Sequence, residues 1–467
     1  MTRHPGRILS WLCAAVACCS LAPRPVAAIE ARPVGVARID ITPAEPIRLT
    51  GYAVRKTNAL GVEQKLWAKA LVLGDEAEGS AVLLTLDLCG ISEETYQAIL
   101  GRLTVRAGLK QPQIAVACSH THSGPCTSRW APNIFAQDIP ADQQAAIDRY
   151  TRELIAKAEQ VVLAALQDRR PARLSWAQGK VGFASNRRVP QTAGVGLGEN
   201  TNAPVDRALP VLRATEEDGR VRALVANYAC HCTTLGGEFN RVCGDWAGYA
   251  QEALERDHPG ALALITIGCG GDSNPSPRGG PDFGLAFARQ HGAALAAEAK
   301  RLATQGFTPI SGRLTTRLQH IALPFGPHFT RAQWEERAAQ PSIVGYHARK
   351  YLARLDRGEQ LPETLSYYVQ TWTFGDELAL VFLSGEVVVD YALRLKREFD
   401  PARLWVTAYA NYVPCYIPSR RILSEGGYEA ETSLWYYDRP ARLAPQTEDL
   451  IVRTVRELMP ASFLRAR

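Results

Sequence analysis

Two histidines separated by a single residue stand where an apolar, strand-like run ends. The stretch "IAVACSHTHSGP" (114–125) carries His120 and His122, and Gly124-Pro125 then ends the extended segment. Side chains two apart on a strand point to the same face, so both imidazoles could reach one ion or one substrate. So short a motif is equally compatible with hydrogen-bonded core or surface histidines. The pair is therefore a candidate for metal binding that needs further ligands.

Two other segments supply residue types that could complete such a site. His231 follows a second strand-like run, and Glu386 stands in "LSGE", where a strand would pass into a helix. Neutral imidazoles and a carboxylate oxygen suit zinc, and a coordination position left open for water is typical of a catalytic zinc site. The spacing matches no compact zinc motif. Tertiary structure would therefore have to bring His120, His231 and Glu386 together.

Chemically capable residues follow five predicted strands. If these strands are neighbours in one sheet, their carboxyl ends form a single crevice, which is where open α/β sheets place their sites. The five segments are "PQIAVACSHTH" (112–122), "RALVANYACHCTT" (222–234), "ALALITIGCGGDSN" (261–274), "ELALVFLSGE" (377–386) and "LWVTAYANYVPCY" (404–416).

Apolar strand-like runs alternate with amphipathic segments along the chain. This alternation predicts an α/β or mixed α+β fold, in which mixed β-sheets are flanked by helices and the site lies at the carboxyl ends of strands. The predicted helices are 142–168, 245–256, 283–302, "VVVDYALRLKREF" (387–399) and 447–458. The stretch 187–206 is rich in Gly, Pro and Asn, which predicts an irregular lid or binding loop.

The first 28 residues have the pattern of a secretory signal peptide. Arg3 and Arg7 precede an apolar run, and small residues lead up to a predicted cleavage after Ala28, so the protein is expected to be secreted or periplasmic. The apolar run has about 15 residues, fewer than the roughly 20 that span a membrane. Cys18 leaves a lipoprotein anchor as a minor alternative, although Ala15 stands where leucine is usual.

The formal net charge of +6 gives no indication of a nucleic-acid partner. Three of the positive charges are arginines of the leader, which contains no acidic residue, so the remainder of the chain carries +3. No Lys/Arg cluster is interleaved with aromatic residues.

Eight of the 11 cysteines follow the leader. Most of them stand in apolar runs, which favours small buried hydrophobes, although an exported chain could form disulfides. A nucleophile built on Cys230 or Cys232 beside His231 is disfavoured, because adjacent strand residues face opposite ways.

Several blocks, in the same order along nearly the whole mature chain, resemble the neutral/alkaline non-lysosomal ceramidases. Blocks that match in register are far more specific than any one of them. They are "VGVARIDITP" (34–43), "LTGYAVR" (49–55), "SHTHSGP" (119–125), "ACHCTT" (229–234), "CGDWAGYA" (243–250), "GCGGDSNPSPRG" (268–279), "LSGE" (383–386), "YIPSRR" (416–421) and "GGYE" (426–429).

The resemblance implies one zinc ion per chain and a zinc-dependent amide hydrolase that converts N-acylsphingosine and water to sphingosine and a fatty acid. The implied substrate is a lipid-like N-acyl compound, with transient contact between the enzyme and a membrane surface. The implied zinc ligands are His120, His231, Glu386 and Tyr416. Tyr412 is the alternative to Tyr416.

The resemblance also implies roles for residues around the ion. His122 would either support the metal ligands or act as an acid or base beside the metal-bound water. Tyr428 and Arg187 would polarise or contact the substrate, and for Arg187 a solvated loop position is an equally weighted alternative.

The chain departs from the family pattern at two places. Asn274 stands where the better-known ceramidases carry a serine important for activity, with Ser273 one residue earlier. An asparagine can donate a hydrogen bond to a carbonyl or oxyanion but cannot act as a nucleophile. Residues 29–467 are expected to form a single ceramidase-like catalytic domain, without the carboxy-terminal immunoglobulin-like domain of the well-known members.

Two alternatives follow from these departures. One is a related zinc hydrolase that acts on a different N-acyl or ester bond, and the other is a catalytically silent binding homologue. A deep apolar pocket beside the zinc would favour ceramide, whereas a shallow polar pocket would favour another substrate.

Overall fold

The structure, a computed structural model, describes residues 1–2, 30–75, 79–280 and 283–465. Apart from its first two residues, the predicted signal peptide lies outside the described residues. The strands of the described chain are β1 (Arg32–Asp40), β2 (Trp67–Leu73), β3 (Ala81–Leu86), β4 (Ile114–Cys118), β5 (Arg170–Lys180), β6 (Ala184–Pro190), β7 (Val195–Asn200), β8 (Ala208–Thr215), β9 (Val221–Tyr228), β10 (Leu262–Ile267), β11 (Ser273–Pro275), β12 (Thr308–Ile310), β13 (Leu314–Pro324), β14 (Thr364–Phe374), β15 (Leu378–Leu383), β16 (Glu386–Val387), β17 (Leu404–Thr407) and β18 (Tyr416–Ile417). The α-helices of the same residues are α1 (Glu93–Ala107), α2 (Ala141–Gln167), α3 (Asp245–Asp257), α4 (Gly284–Gln305), α5 (Arg331–Ala338), α6 (Ile343–Asp356), α7 (Val389–Glu398), α8 (Arg420–Glu425) and α9 (Thr447–Leu458).

The largest sheet has nine strands in the described part of the chain, and its two ends are built alike. The strand order is β10-β9-β8-β5-β1-β2-β3-β4, with β12 beside β5. The inner pairs are antiparallel, whereas the outer pairs β9/β10 and β3/β4 are parallel. A helix joins the strands of each outer pair, α3 and α1 respectively, because parallel strands need a crossover connection. Both ends of the sheet therefore present carboxyl ends of parallel strands, where ligand sites form.

The nine-stranded sheet curls until its edge strands β4 and β10 approach each other. The segment 408–411, which follows β17, joins them at their carboxyl ends. The N–H of Ala408 donates to the carbonyl of Ile267 (2.8 Å), and the N–H of Cys118 donates to the carbonyl of Tyr409 (3.2 Å). Ile267 and Cys118 are the last residues of β10 and β4. The curl therefore brings the two loop-bearing ends of the sheet to one place.

The second large sheet of the described residues has the order β13-β14-β15-β17. It contains two of the five strands that end in polar residues, so the condition that all five are neighbours in one sheet is not met. β4, β9 and β10 belong to the first sheet, while β15 and β17 belong to the second. The ends still meet, because the N–H of Ala410 donates to Leu383 at the end of β15 (3.1 Å) and the N–H of Asn411 donates to Val116 in β4 (2.5 Å).

The five predicted helices are α2, α3, α4, α7 and α9, and each begins and ends within three residues of its prediction. Their apolar stripes explain the agreement: α2 buries Ile147, Leu154 and Val161 on one face and packs against β1 and β2. The mixed α/β class is thus confirmed. None of the described helices has both the length and the apolar character that crossing a membrane requires.

The stretch 187–206 was expected to be irregular, and this expectation is wrong. Most of it is a β-hairpin in which β6 and β7 pair antiparallel, and β6 also pairs with β11. Gly194, with φ 81, lies in the turn, where glycine adopts the left-handed region without steric cost. Because β7 is exposed or half-buried along its whole length, no apolar alternation marks it in the sequence.

Helices α5 and α6 form a hairpin around a small core of their own. The rings of Trp334 and Tyr351 stack with centroids 4.8 Å apart, and His347 is fully buried beside them. Tyr351 donates to the carbonyl of Asp438 (2.8 Å), and Arg354 pairs with the carboxylate of the same residue. Burial lowers the pKa of His347 to about 4. The hairpin therefore holds a neutral imidazole in an apolar environment.

Replacing His347 by phenylalanine is expected to remove an acid-sensitive part of the stability. The folded-state pKa of about 4 lies below the value of about 6.5 for an unfolded histidine. The imidazole therefore contributes stability above pH 6.5 that is lost as the pH falls towards 4. This loss amounts to about 2 kcal/mol at pH 5 relative to pH 8. Urea unfolding of both proteins at the two pH values measures it, and an identical pH dependence in the variant would contradict the argument.

Candidate metal centre

Four side chains converge at the carboxyl ends of the strands. Nε2 of His120 and Nε2 of His231 each lie 3.1 Å from Oε2 of Glu386, and the hydroxyl of Tyr416 lies 3.1 Å from Nε2 of His231. All four residues are buried, with at most 3% of their surface exposed. The structure thus brings together the set that the resemblance implies as ligands, although His231 and Glu386 are 155 residues apart.

His120 and His122 reach the centre from a turn, not from a strand. β4 ends at Cys118, and His120 has φ 57, in the left-handed region. The alternation argument therefore rested on a wrong premise. The N–H of His120 donates to Leu88 (2.9 Å) and the N–H of His122 donates to Cys232 (3.1 Å), which fixes the turn between two loops. The two imidazoles still meet, with their Nε2 atoms 3.1 Å apart.

The hydrogen-bond partner of Nδ1 determines the tautomer of His120 and of His231. Nδ1 of His120 lies 2.7 Å from the carbonyl oxygen of Cys89, and Nδ1 of His231 lies 2.7 Å from that of Gly270. A carbonyl oxygen only accepts, so Nδ1 carries the proton and Nε2 presents its lone pair to the centre. Burial, and after it the charge of Arg187, lowers the pKa of His231 to about 4. His231 is therefore neutral at pH 7, as a metal-binding imidazole must be.

The donor atoms of the centre fit a divalent cation. The ligand atoms of His120, His231 and Glu386 all lie within 4.8 Å of one another. Two imidazole lone pairs and a carboxylate oxygen directed at one point repel each other unless a proton or a cation lies between them. Two nitrogens with oxygen donors form a set that zinc binds readily.

Glu386 and Tyr416 meet because the short strands β16 and β18 pair in parallel, with these two residues opposite each other. Side chains of opposite residues lie on the same face of a ladder. Burial raises the pKa of the Tyr416 phenol well above its ordinary value, and the charge of Arg187 opposes this rise. Tyr412, the alternative ligand, instead donates its hydroxyl to the carbonyl of Ser366, so it does not join the centre.

Tyr437 is a residue of the centre that the sequence analysis missed. Its hydroxyl donates to Oε1 of Glu386, which leaves Oε2 to face His120 and His231. The ring packs edge-on against Trp130, with centroids 5.8 Å apart. The only sequence signal was the aromatic run "LWYYD" that follows "GGYE". The hydrogen bond makes Glu386 present a single oxygen to the centre.

Replacing Tyr437 by phenylalanine is expected to weaken zinc binding by about 10- to 100-fold, the usual effect of removing a group that orients a metal ligand. Competition with a chromogenic chelator measures the affinity. Tyr436→Phe is the matched control, because Tyr436 lines the same cavity while the hydrogen bond to Oε1 of Glu386 comes from Tyr437. An unchanged zinc affinity, with only lower thermal stability, would mean that Tyr437 contributes packing and does not orient Glu386.

Arg187 is buried in the centre, with 6% of its surface exposed, so the solvated-loop alternative is wrong. Its Nε donates to Oε1 of Glu429 (2.8 Å), and its Nη1 lies 3.3 Å from Nε2 of His231. The guanidinium carbon lies 5.3 Å from the ring centroids of both Tyr416 and Tyr428. Arg187 therefore places a positive charge beside both phenols.

The centre opens into a cavity of about 680 Å³, and His122, Tyr428 and Asn274 line it. Oδ1 of Asn274 accepts from the hydroxyl of Thr233 (3.2 Å), so the amide N–H groups of Asn274 remain available to the cavity. Residues 197–199 of the β6–β7 hairpin form part of the wall. Apolar members of the lining include Ala53, Trp130, Ala131, Ile134, Leu197 and Pro275. The wall is thus mixed in character.

The cysteines of the described residues offer no competing nucleophile. The eight cysteines of the described chain are all buried free thiols, as expected for small buried hydrophobes. Burial raises the pKa of Cys230 and of Cys232 well above the ordinary thiol value. Both are therefore protonated at neutral pH, and a protonated thiol is a poor nucleophile.

The fold and the site define a mixed α/β protein in which histidine, carboxylate and phenol side chains form a candidate metal centre in a cavity at strand ends. The profile of the neutral/alkaline non-lysosomal ceramidases, N-terminal part, matches residues 33–266, half of the chain. The chain belongs to this family. The matched region contains His120, Arg187 and His231, whereas Glu386 and Tyr416 lie beyond it.

Individual relatives are distant. The neutral ceramidase of Pseudomonas aeruginosa is 24% identical over 322 residues, which are 64% of this chain and 46% of that protein. Neutral ceramidase A of Dictyostelium discoideum is 24% identical over 263 residues, which are 53% of this chain and 36% of that protein. The chain thus matches less than half of the length of these relatives.

Solved structures share the fold of this chain. A ceramidase complexed with C2 superposes with a TM-score of 0.70 at 20% identity, covering 94% of this chain and 77% of that one. The neutral ceramidase from Pseudomonas aeruginosa superposes with a TM-score of 0.68 at the same identity, covering 94% and 76%.

Proposed function

We propose that the protein is an exported, zinc-dependent amide hydrolase of the ceramidase type, which cleaves an N-acyl lipid into a fatty acid and an amine. One observation carries the proposal: the donor atoms of His120, His231, Glu386 and Tyr416 converge beside a cavity in a member of this family. Its curated relatives named above are neutral ceramidases.

In the proposed site His120, His231, Glu386 and Tyr416 would hold one zinc ion. When bound, zinc supplies a Lewis acid that polarises the amide carbonyl and promotes ionisation of water. The carbonyls of Cys89 and Gly270 hold the two imidazoles in the tautomer required for binding.

His122 is the proposed base. Burial, followed by the neighbouring His120 and His231, lowers its pKa well below the ordinary value, so the ring is neutral and can accept a proton. Among the described residues its Nδ1 has no hydrogen-bond partner, and its Nε2 lies 3.1 Å from Nε2 of His120. A zinc ion would engage the lone pair of His120, which would free Nε2 of His122 to accept a proton. Nε2 of His122 takes the proton of the attacking water and returns it to the leaving amine nitrogen.

Tyr428 and Asn274 are the proposed polar groups around the substrate carbonyl. The Tyr428 hydroxyl donates to the oxygen as negative charge develops on it. Burial raises the pKa of this phenol well above its ordinary value, although Arg187 opposes the rise, so Tyr428 keeps its proton at neutral pH. The Asn274 amide donates to a second oxygen of the substrate.

The test combines zinc content with hydrolysis. The mature protein, residues 29–467, and His120→Ala are purified, analysed for zinc and assayed on a fluorogenic short-chain ceramide. About one zinc per chain in the parent, lost together with hydrolysis in the variant, is the expected result. The matched control is His320→Ala, which removes an exposed histidine bonded to Ser366.

Other outcomes separate the alternatives. Zinc without turnover of ceramide, but with turnover of another N-acyl or ester compound, would favour the related hydrolase. Zinc without turnover of any such compound would favour a binding homologue. Equal zinc in the parent and His120→Ala would overturn the metal centre.

Export and domain organisation form a separate part of the proposal. Cleavage after Ala28 would release residues 29–467 as one catalytic unit, as the pattern of the leader predicts. Mass spectrometry of the protein from the periplasm or the medium should find a chain that begins at Ile29. A chain that keeps its leader would contradict this prediction.

A further inference from the structure

The cavity carries an arginine, Arg278, that no carboxylate of the described residues neutralises. Arg278 lines the cavity and is exposed to solvent. Its Nε donates to the carbonyl of Thr233 (2.9 Å) and its Nη2 to the hydroxyl of Tyr52 (3.2 Å). In the described part of the chain no acidic side chain forms an ion pair with it. The cavity wall thus contains a positive charge with N–H groups that are free to bind a ligand.

Two hydrogen bonds hold the guanidinium in place. The Tyr52 hydroxyl donates to the carbonyl of Leu235 (2.8 Å), so it accepts from Arg278. A guanidinium has five N–H donors, and these contacts use two of them, which leaves three for a ligand. Because a positioned guanidinium matches the oxygens of a phosphate or carboxylate in a two-pronged fashion, the free donors favour an anionic oxygen group.

The position of Arg278 relates it to the proposed chemistry. The ring of Tyr52 lies 5.0 Å from the ring of His122, the proposed base. Thr233 links the arginine to Asn274, because its carbonyl accepts from Arg278 while its hydroxyl donates to the Asn274 side chain. The arginine and the asparagine amide are thus adjacent donors in the same wall.

We propose that the substrate carries an anionic oxygen group, a phosphate or a carboxylate, close to the scissile amide, and that Arg278 binds this group with help from the Asn274 amide. The inference rests on the proposed function and narrows it to acidic N-acyl lipids. Glu199 of β7 also lines the cavity, so the selectivity arises from the contacts of Arg278 and not from a general positive charge of the cavity.

The test compares three substrates with the same short acyl chain: a neutral ceramide, its 1-phosphate, and an N-acyl amino acid with a free carboxylate. Values of kcat/KM are measured for the parent, Arg278→Gln and Arg278→Lys. Arg220→Gln is the control, because Arg220 is an exposed arginine that pairs with Asp218 and Glu216. Binding of dodecyl phosphate and dodecanoate, against dodecanol, is measured by calorimetry as a readout that needs no turnover.

We expect the parent to prefer at least one acidic substrate. Arg278→Gln should lower that preference by about 10- to 100-fold, the value of a charge-assisted contact. Arg278→Lys should keep part of the preference, and Arg220→Gln should keep all of it. The acidic substrate for which kcat/KM falls in Arg278→Gln shows whether the ligand is a phosphate or a carboxylate.

The inference and the proposed function can fail separately. If neutral and acidic substrates are cleaved equally well by the parent and by Arg278→Gln, the inference is overturned and the hydrolase stands. If zinc-loaded protein cleaves none of the three, the proposed function fails, and calorimetry still decides the inference. Tighter binding of either anion than of dodecanol, lost in Arg278→Gln, would support it, and equal binding would overturn it.

Discussion

Replacing Glu386 by glutamine is expected to abolish the proposed hydrolysis, with kcat/KM lower by at least about 1,000-fold, since a metal-assisted step derives several kcal/mol from its metal ion. Oε2 of Glu386 is the atom that faces both His120 and His231 at 3.1 Å. Glutamine keeps the shape of the side chain but removes its charge. Zinc content after dialysis should fall in parallel with activity.

The pKa of Glu386 supports the choice of this residue. Burial alone raises the pKa of its carboxyl, but without a metal ion a proton shared with His120 and His231 outweighs that effect and holds the pKa well below its usual range. The group is therefore ionised throughout the neutral range. Glu335→Gln, on the exposed face of α5, is the control for loss of a carboxylate. Parental activity in Glu386→Gln would contradict the proposed centre.

The second large effect is expected for Glu429→Gln. Glu429 has no exposed surface, and its two oxygens accept from Nε of Arg187 (2.8 Å) and Nη1 of Arg188 (2.5 Å). Glutamine would leave two buried guanidinium groups with too little negative charge around them. Breaking a buried ion pair from one side costs about 3 to 5 kcal/mol of unfolding free energy, which urea unfolding measures.

Activity should fall with stability, for a separate reason. Glu429 holds Arg187 beside Tyr416 and Tyr428, so a displaced guanidinium would lower kcat more than it raises KM. A double-mutant cycle, read out as the free energy of unfolding, measures the coupling between Arg187 and Glu429. Removing both partners, in Arg187→Met with Glu429→Met, should cost less than the sum of the single changes, because neither residue then leaves the other charged, buried and unpaired. Arg188 also loses Glu429 in this variant but keeps its ion pair with Glu425. Strict additivity would show that the pair is not coupled.

Acid should weaken the ion pairs that Glu429 forms with Arg187 and Arg188. Burial raises the pKa of Glu429, but Arg187 and Arg188 outweigh this effect and hold the pKa below its usual value. A lowered folded-state pKa means that the pair stabilises the protein above the unfolded pKa of about 4.3. This contribution is lost as the pH falls through the lower folded-state value. Glu429→Gln should therefore show a shallower loss of stability below about pH 4.3 than the parent.

Several features of the fold could be predicted because their signals are local. A helix that packs on a sheet repeats its apolar residues about every 3.6 positions, and α2, α3, α4, α7 and α9 all carried that pattern. Strand ends rich in histidine, asparagine and tyrosine were also visible as short apolar runs followed by polar residues. The family blocks in constant order added the set His120, His231, Glu386 and Tyr416, which spacing alone left incomplete.

Other features have no local signal. The β6–β7 hairpin has no buried face that would alternate, so its strands looked like a loop. The left-handed φ of His120 is imposed by hydrogen bonds to distant loops, so the pattern "HTH" was assigned to a strand that ends at Cys118. Tyr437 contacts Glu386, which lies 51 positions earlier in the sequence, and the residues next to either one give no indication of this contact.

By itself, the sequence determined the class of fold, the helices, the family and the types of residue that stand at strand ends. The tertiary structure alone decided that strands of two sheets meet at 408–411, that Arg187 is buried against Glu429, and that Arg278 lacks an acidic partner among the described residues. The physical reason is separation along the chain. Periodicity records which face of a segment is buried, whereas a binding site depends on which distant segments that burial brings together.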